Sequence, residues 1–271
     1  MVCLLATKSL KESGMNLYND NDSFAVDQLR WLVRSGKIKP GDVTDCSIAG
    51  IQESDLRDYS QVHLFAGIGG WPLAFEMAGI ADVDSVWSGS CPCQPFSTAG
   101  KGKGINDERH LWPEMRRLVE LRKPSIVFGE QVAAKAGREW LSVVRTEMEE
   151  MGYAFGAADL CAASIGNPQI RKRLFWGAAR IGGEGRERLV ERKNPCITRP
   201  WRWRGEEDLQ KVSSAPFERG NLWPRPIVRK MDDGVPRRVA QCRAYGNAIV
   251  PQLAAEFIVA FLDSVAALQG N

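Results

Sequence analysis

The segment QVHLFAGIGGWPLAFEMAGI, residues 61–80, constrains the fold more than any other part of the chain. Its opening QVHLF is a brief apolar run with the length of a buried strand. Glycines 67, 69 and 70 follow directly, and Pro72 stands where a helix would begin. A strand that turns through glycines into a helix is the first half of a βα crossover, which makes a parallel neighbour in the sheet the expectation. The same geometry lets backbone N–H groups approach a nucleotide-like ligand. Taken alone, it fits a tight βα connection equally well.

The remaining pattern extends this beginning. DSVWSGS, PSIVFGEQV, YAFGAADLCAASIG and RLFWGAA read as strands, and LWPEMRRLVELRK and GREWLSVVRTEMEEMG as helices. PQLAAEFIVAFLDSVAALQ is a long terminal helix with Pro251 in its first turn and Gly270 beyond its end. Phe24, Val26, Leu29, Leu32 and Val33 line one face of a further helix over 23–35, for which Ser23 is the expected N-cap. This alternation predicts an α/β fold with a doubly wound, mostly parallel sheet. Residues 181–243 break the pattern: rich in Arg, Trp, Pro and Gly, they read as a small irregular lobe of short strands and loops.

Charge separates the same two regions. The chain of 271 residues carries a net +3, yet between Arg171 and Arg243 there are 19 Lys/Arg against 9 Asp/Glu. That stretch is thus +10 and the remainder −7. Fifteen of the nineteen are arginines, which favours bidentate contacts to phosphate or guanine. A basic lobe on a neutral-to-acidic body fits a polyanionic partner, with a solvated basic surface as the alternative.

Other classes are disfavoured. No run of eighteen apolar residues occurs, and the opening MVCLLATKSLKESG is too weak for a signal peptide, so the cytoplasm is the expected compartment. Met15 is an alternative start. Seven cysteines, an odd number without a C-x-x-C pair, argue against a disulfide framework, and with two distant histidines no metal site is expected.

The turn SCPCQPFS, residues 90–97, follows a strand and precedes a long polar loop, TAGKGKGINDERH. Its two prolines restrict the backbone on both sides of Cys93 and so fix the direction of that side chain. A buried, unreactive cysteine is the other reading for Cys93, and more so for Cys91. Order along the chain decides between them. FAGIGG at 65–70, PCQPFS at 92–97, EQV at 130–132, QIRKR at 169–173 and GNAIVP at 246–251 resemble the ordered motifs of the DNA cytosine C5-methyltransferases. QIRKR matches the family's Q-x-R-x-R at all three positions, whereas EQV replaces the more usual Glu-Asn-Val.

The resemblance implies S-adenosylmethionine as methyl donor and double-stranded DNA as substrate, with no metal. Carbon 5 of cytosine is a poor nucleophile; addition of a thiolate at carbon 6 converts the ring to an enamine and makes carbon 5 reactive. Cys93 is implied as that nucleophile and Glu130 as the acid bonded to N3, a role that needs a raised pKa. Arg171 and Arg173 are implied to hold the glutamate and cytosine O2. Phe65, Ala66, Gly67, Ile68, Gly69 and Gly70 are assigned to the donor pocket, with Asn247 on its far side. Gln94, Ser97 and Gln169 would contact DNA or orient the loops around it. The 98–110 loop, with Lys101, Lys103 and Arg109, corresponds to the segment that closes over DNA once the base is flipped out. The expected organisation is an N-terminal extension over 1–60, a catalytic domain over 61–180 plus 244–271, and a target-recognition lobe over 181–243. A monomer is expected.

One departure stands out. Only residues 71–90 separate the glycines from Cys91, where the family places two further strands and two acidic residues for the donor's ribose and adenine. Twenty residues hold one helix, one turn and one strand. The expectation is therefore a short form, its sheet reduced at one edge, with Asp82 or Asp84 as substitute ribose ligands and the 23–35 helix covering the exposed edge. A DNA-binding relative that no longer binds the donor is the alternative function.

Overall fold

The computed structural model describes residues 14–92, 111–165, 171–180 and 246–269. Cys93, Gln94, Ser97, Lys101, Lys103, Arg109 and Gln169 lie outside the described residues, as does the 181–243 lobe.

In chain order the elements are β1 (Asn16–Asn19), α1 (Ser23–Arg34), β2 (Gly41–Thr44), β3 (Gln61–Leu64), α2 (Gly70–Met77), β4 (Val86–Gly89), α3 (Trp112–Arg122), β5 (Ile126–Val132), α4 (Lys135–Glu150), β6 (Tyr153–Cys161), β7 (Lys172–Arg180) and α5 (Pro251–Gln269). The strands form one seven-stranded sheet in the order β2-β1-β3-β4-β5-β7-β6. The first five in that row are parallel; β7 runs antiparallel to both β5 and β6. Helices cover both faces. Trp112, Met115 and Leu118 of α3 and Trp140, Val144 and Met148 of α4 pack with Val62, Leu64, Trp87 and Val127. On the other face Trp71 and Phe75 of α2 and Leu253, Ile258 and Phe261 of α5 pack with Val86, Phe128 and Phe175. The doubly wound, mostly parallel sheet is as expected.

Its reduced edge is not. β3 is followed by α2 and then by its neighbour β4, the short crossover that twenty residues allow. The two outer strands, however, are present, and they come from the segment that precedes the glycine turn. β1 pairs with β3 from Asn16↔Gln61 to Asn19↔Leu64, and β2 pairs with β1 from Asn16↔Gly41 to Asn19↔Thr44. Residues 16–44 are therefore a βαβ unit of the sheet itself, standing earlier in the chain than the strand it docks on. α1 is its crossover and not an edge cover: Ala25, Val26 and Leu29 are buried, and Leu29 clusters with Tyr18, Ile38 and Ala66. The N-cap of α1 is Asp22 in place of Ser23, its carboxylate accepting from the N–H groups of Phe24 and Ala25 at 3.0 and 3.2 Å.

These strands hide their character because their polar residues are buried. Asn16 and Asn19 are almost wholly inaccessible. Asn16 donates to Gln61 and Tyr18, Asn19 to the carbonyl of Cys46. Tyr18 stacks on His63, rings 5.2 Å apart, and His63 in turn bonds Ser88 at 2.7 Å. A row of hydrogen-bonded polar groups thus runs from strand to strand where an apolar row would be the default.

Candidate functional site

Ligands of a doubly wound sheet bind beyond the carboxyl ends of its parallel strands, and the glycine turn, Glu130 and Arg173 lie toward that end. After Leu64 the chain turns sharply through Phe65, held at φ 51°, and enters α2 at Gly69, φ 85°. A β-carbon on Gly69 would lie 2.7 Å from Leu32 of α1, so both the left-handed backbone and the close approach require glycine. A β-carbon on Gly67 would meet nothing within 4 Å. The turn is therefore backed by protein at Gly69 and open at Gly67.

The N-terminal unit holds this turn in place. Ala66 N donates to Asn19 O at 2.9 Å, and Gly67 N donates to the Asp20 carboxylate at 2.8 Å. Asp20 also accepts from Asp22 N and donates its own N–H to Thr44 O. The carboxyl ends of β2, β1 and β3 are thereby laced side by side. Burial raises the carboxyl pKa of Asp20, and the N–H donors from Asp22 and Gly67 oppose the rise. Sequence reasoning passed over Asp20 because it precedes the glycine turn by forty-seven residues. Asp82 and Asp84 do not take its place. They lie before β4, at the amino end of the sheet, where Asp82 pairs with Lys39 at 2.7 Å.

The second half of the site surrounds Glu130. Its strand β5 lies between β4 and β7, with Glu130 opposite Phe175 and Val132 opposite Arg173. Arg173 Nε stands 2.5 Å from Glu130 Oε1; the side chains are only 20% and 8% exposed. The contact is a close ion pair and not an aligned hydrogen bond, since no N–H is aimed at Oε1. Burial drives the Glu130 carboxyl up to about 7, against the opposing charges of Arg173 and Arg171. Near neutral pH this acid therefore exists in both protonation states.

Arg171 and Arg173 were expected to hold the glutamate and cytosine O2 between them. Arg173 meets Glu130, while Arg171 donates to the carbonyls of Gly246 at 2.7 Å and Ala248 at 2.8 Å. Asn247 lies between these carbonyls and is exposed. Ile249, two residues on, packs so closely on Gly70 that a β-carbon there would be 2.7 Å away. The GNAIVP segment and the glycine turn are thus neighbours, as the resemblance implied, and α5 packs against α2 in the same core.

Two further side chains, neither anticipated in this role, hold the root of the turn that leads to Cys93. Gln131, buried, reaches Cys91 O at 3.4 Å, while its Oε1 accepts from Val132 N. Trp71 Nε1 donates to Ser90 Oγ at 2.9 Å. Cys91 itself is buried with its sulfur 3.7 Å from that of Met115, and burial pushes its thiol well above the usual range. Such a thiol is a poor nucleophile. The described residues contain no group of three or more His, Cys, Asp or Glu placed to hold a metal ion. No helix among them is long and apolar enough to cross a membrane.

Residues 80–195 match the family model described as C-5 cytosine-specific DNA methylase. Type II methyltransferase M.HhaI of Haemophilus parahaemolyticus is 32% identical over 165 residues, covering 46% of this chain and 50% of the relative. Type II methyltransferase M.PspPI of Psychrobacter sp. is 31% identical over 162 residues, covering 44% of this chain and 39% of the relative. The aligned stretch thus spans half or less of each relative's length. A solved S. pombe Dnmt2 methyltransferase covers 63% of this chain and 52% of its own at 16% identity and a TM-score of 0.37. Over the matched residues the chain is similar to the C-5 cytosine-specific DNA methylases.

Proposed function

We propose that this protein transfers a methyl group from S-adenosylmethionine to carbon 5 of a flipped-out cytosine in double-stranded DNA, through a covalent bond between Cys93 and carbon 6. The observation that carries the reading is Glu130. It is a buried acid whose pKa of about 7 suits proton donation near neutral pH. It stands beside Arg173 on a strand whose next residue, Gln131, grips the backbone two residues before Cys93.

The donor's fit is supported by the N-terminal unit. The open face of the turn at Gly67 leaves room for a ligand, and Asp20 puts a carboxylate at the end of β1, beside that turn. The carboxylate oxygens of Asp20 retain lone pairs for the ribose hydroxyls, and Asn247 closes the opposite side. When bound, the donor supplies an electrophilic methyl group on a sulfonium. The side chains do the rest. Cys93, as thiolate, adds to carbon 6, while Glu130 donates its proton to N3, which draws off the charge pushed onto the ring. Arg173 fixes Glu130 and is proposed to bond cytosine O2. Once carbon 5 carries the methyl group, its proton passes to a water molecule, Glu130 takes back the N3 proton, and expulsion of the Cys93 thiolate restores aromaticity. Gln94, Ser97, Lys101, Lys103, Arg109 and Gln169 are proposed to hold the DNA and the vacated stack, and the basic 181–243 lobe to read the target sequence.

The competing reading, a DNA-binding relative without donor affinity, rested on missing acidic residues near the glycine turn. Asp20 supplies an acid beside that turn and so supports the enzyme reading. The decisive test incubates the protein with radiolabelled S-adenosylmethionine and mixed-sequence DNA. Label should enter DNA with the wild type and fall by on the order of 10⁴-fold or more with Cys93→Ala. DNA binding without any label transfer by the wild type would overturn the proposal.

A further inference from the structure

Arg171 uses its guanidinium in a way the family resemblance does not assign. Nη1 and Nη2 donate to carbonyls two residues apart, Gly246 and Ala248, which lie 75 and 77 residues along the chain. A planar fork can hold such a carbonyl pair at once, whereas an ammonium group holds one direction at a time. Its Nε is buried without a partner, while the rest of the group stays partly exposed and makes these two bonds. The clasped segment leads straight into Ile249, which seals Gly70 at the start of α2. Arg171 itself sits next to the first residue of β7, the strand that brings Arg173 to Glu130.

We propose that Arg171 is a positioning residue: it locks residues 246–249 over the glycine turn and so ties the donor side of the site to the acid side, without touching the base. As regards the donor, this rests on the function proposed above; the lock itself does not. Both bonds are charge-assisted, and their loss frees the segment that carries Asn247.

The test compares Arg171→Met, Arg171→Lys and Arg173→Lys with the wild type. Amide hydrogen exchange over 246–254 is measured without ligand, and KM for S-adenosylmethionine and kcat are measured on DNA. Arg171→Met should speed exchange in that segment and raise KM for the donor by about tenfold, with kcat within about threefold. Arg171→Lys, which keeps the charge and one bond, should fall between. Arg173→Lys should lower kcat while leaving exchange over 246–254 and donor KM near wild-type values. Unchanged exchange in both Arg171 variants would overturn the lock. A fall in kcat at constant donor KM would instead put Arg171 on the base. If the wild type transfers no methyl group, the proposed function fails, and the exchange result still decides the lock.

Discussion

The two sides of the site are built by different means. On the Glu130 side, every key residue belongs to a short motif, and the chemistry dictates residue type: an acid, an arginine beside it, a cysteine between prolines. On the Asp20 side, the work is done by a βαβ unit, residues 16–44, whose place in the chain is unlike its place in the sheet. The proposed reacting groups are constrained residue by residue, while the proposed donor side joins a glycine motif to a unit constrained by shape. A unit defined by shape can be moved along the chain provided that its edges still pair.

Variants on the two sides should therefore fail differently. The largest effect is expected on the acid side. Glu130→Gln should lower kcat by roughly 10²–10⁴-fold. With a folded-state pKa of about 7, the wild-type rate should decline as pH rises through that value, because only the protonated acid donates; the variant should show no such limb. Stability follows the same sign. Glu130's pKa is raised by folding, so its contribution is full below its unfolded value of about 4.3 and lost as pH rises through about 7. The Tm of the wild type relative to Glu130→Gln should accordingly drop between about pH 4 and pH 7, the interval bounded by those two values.

On the donor side, Asp20→Ala should raise KM for S-adenosylmethionine by about ten- to a hundredfold, with a far smaller change in kcat. An equal loss in kcat would break the division between the two sides. Gly69→Ala tests the joint between α1 and the turn. The left-handed backbone alone costs about 1–2 kcal/mol, and contact with Leu32 adds to it, so Tm should fall by several degrees. The smallest effect belongs to Trp71→Phe, which keeps the ring in its core cluster and deletes one hydrogen bond to Ser90. About 0.5–1.5 kcal/mol is expected by denaturant unfolding.

What could be read beforehand follows the same division. The β3–α2–β4 crossover, the helices α3, α4 and α5, and the clustering of Glu130 with Arg173 were legible from periodicity and motif order. β1 and β2 were not. NLYN and GDVT are four residues each, too short for a strand period to emerge, and their Asn and Thr side chains are polar yet buried, the Asn side-chain amides donating to neighbours. Asp20 was missed for the same reason, since nothing marks an acid as site-facing until its strand is known. The hydrogen bonds of Arg171 were hidden for another reason: motif matching marks an arginine at that position, but only coordinates show that its guanidinium bonds the carbonyls of Gly246 and Ala248.

Placing the βαβ unit first in the chain also affects how the protein is made. β1 and β2 leave the ribosome before β3, and some twenty residues, Thr44 to Leu64, separate the completed unit from the strand it must join. At about 5–20 residues per second, the inner edge of β1 waits roughly 1–4 s for its partner. During that interval Leu17 and Tyr18, wholly buried in the finished sheet, have no β3 to pair with. An unpaired strand edge invites pairing with another chain. Yield of native protein should therefore depend on translation speed across residues 45–60, a sensitivity that the finished fold, with β1 sealed between β2 and β3, no longer shows.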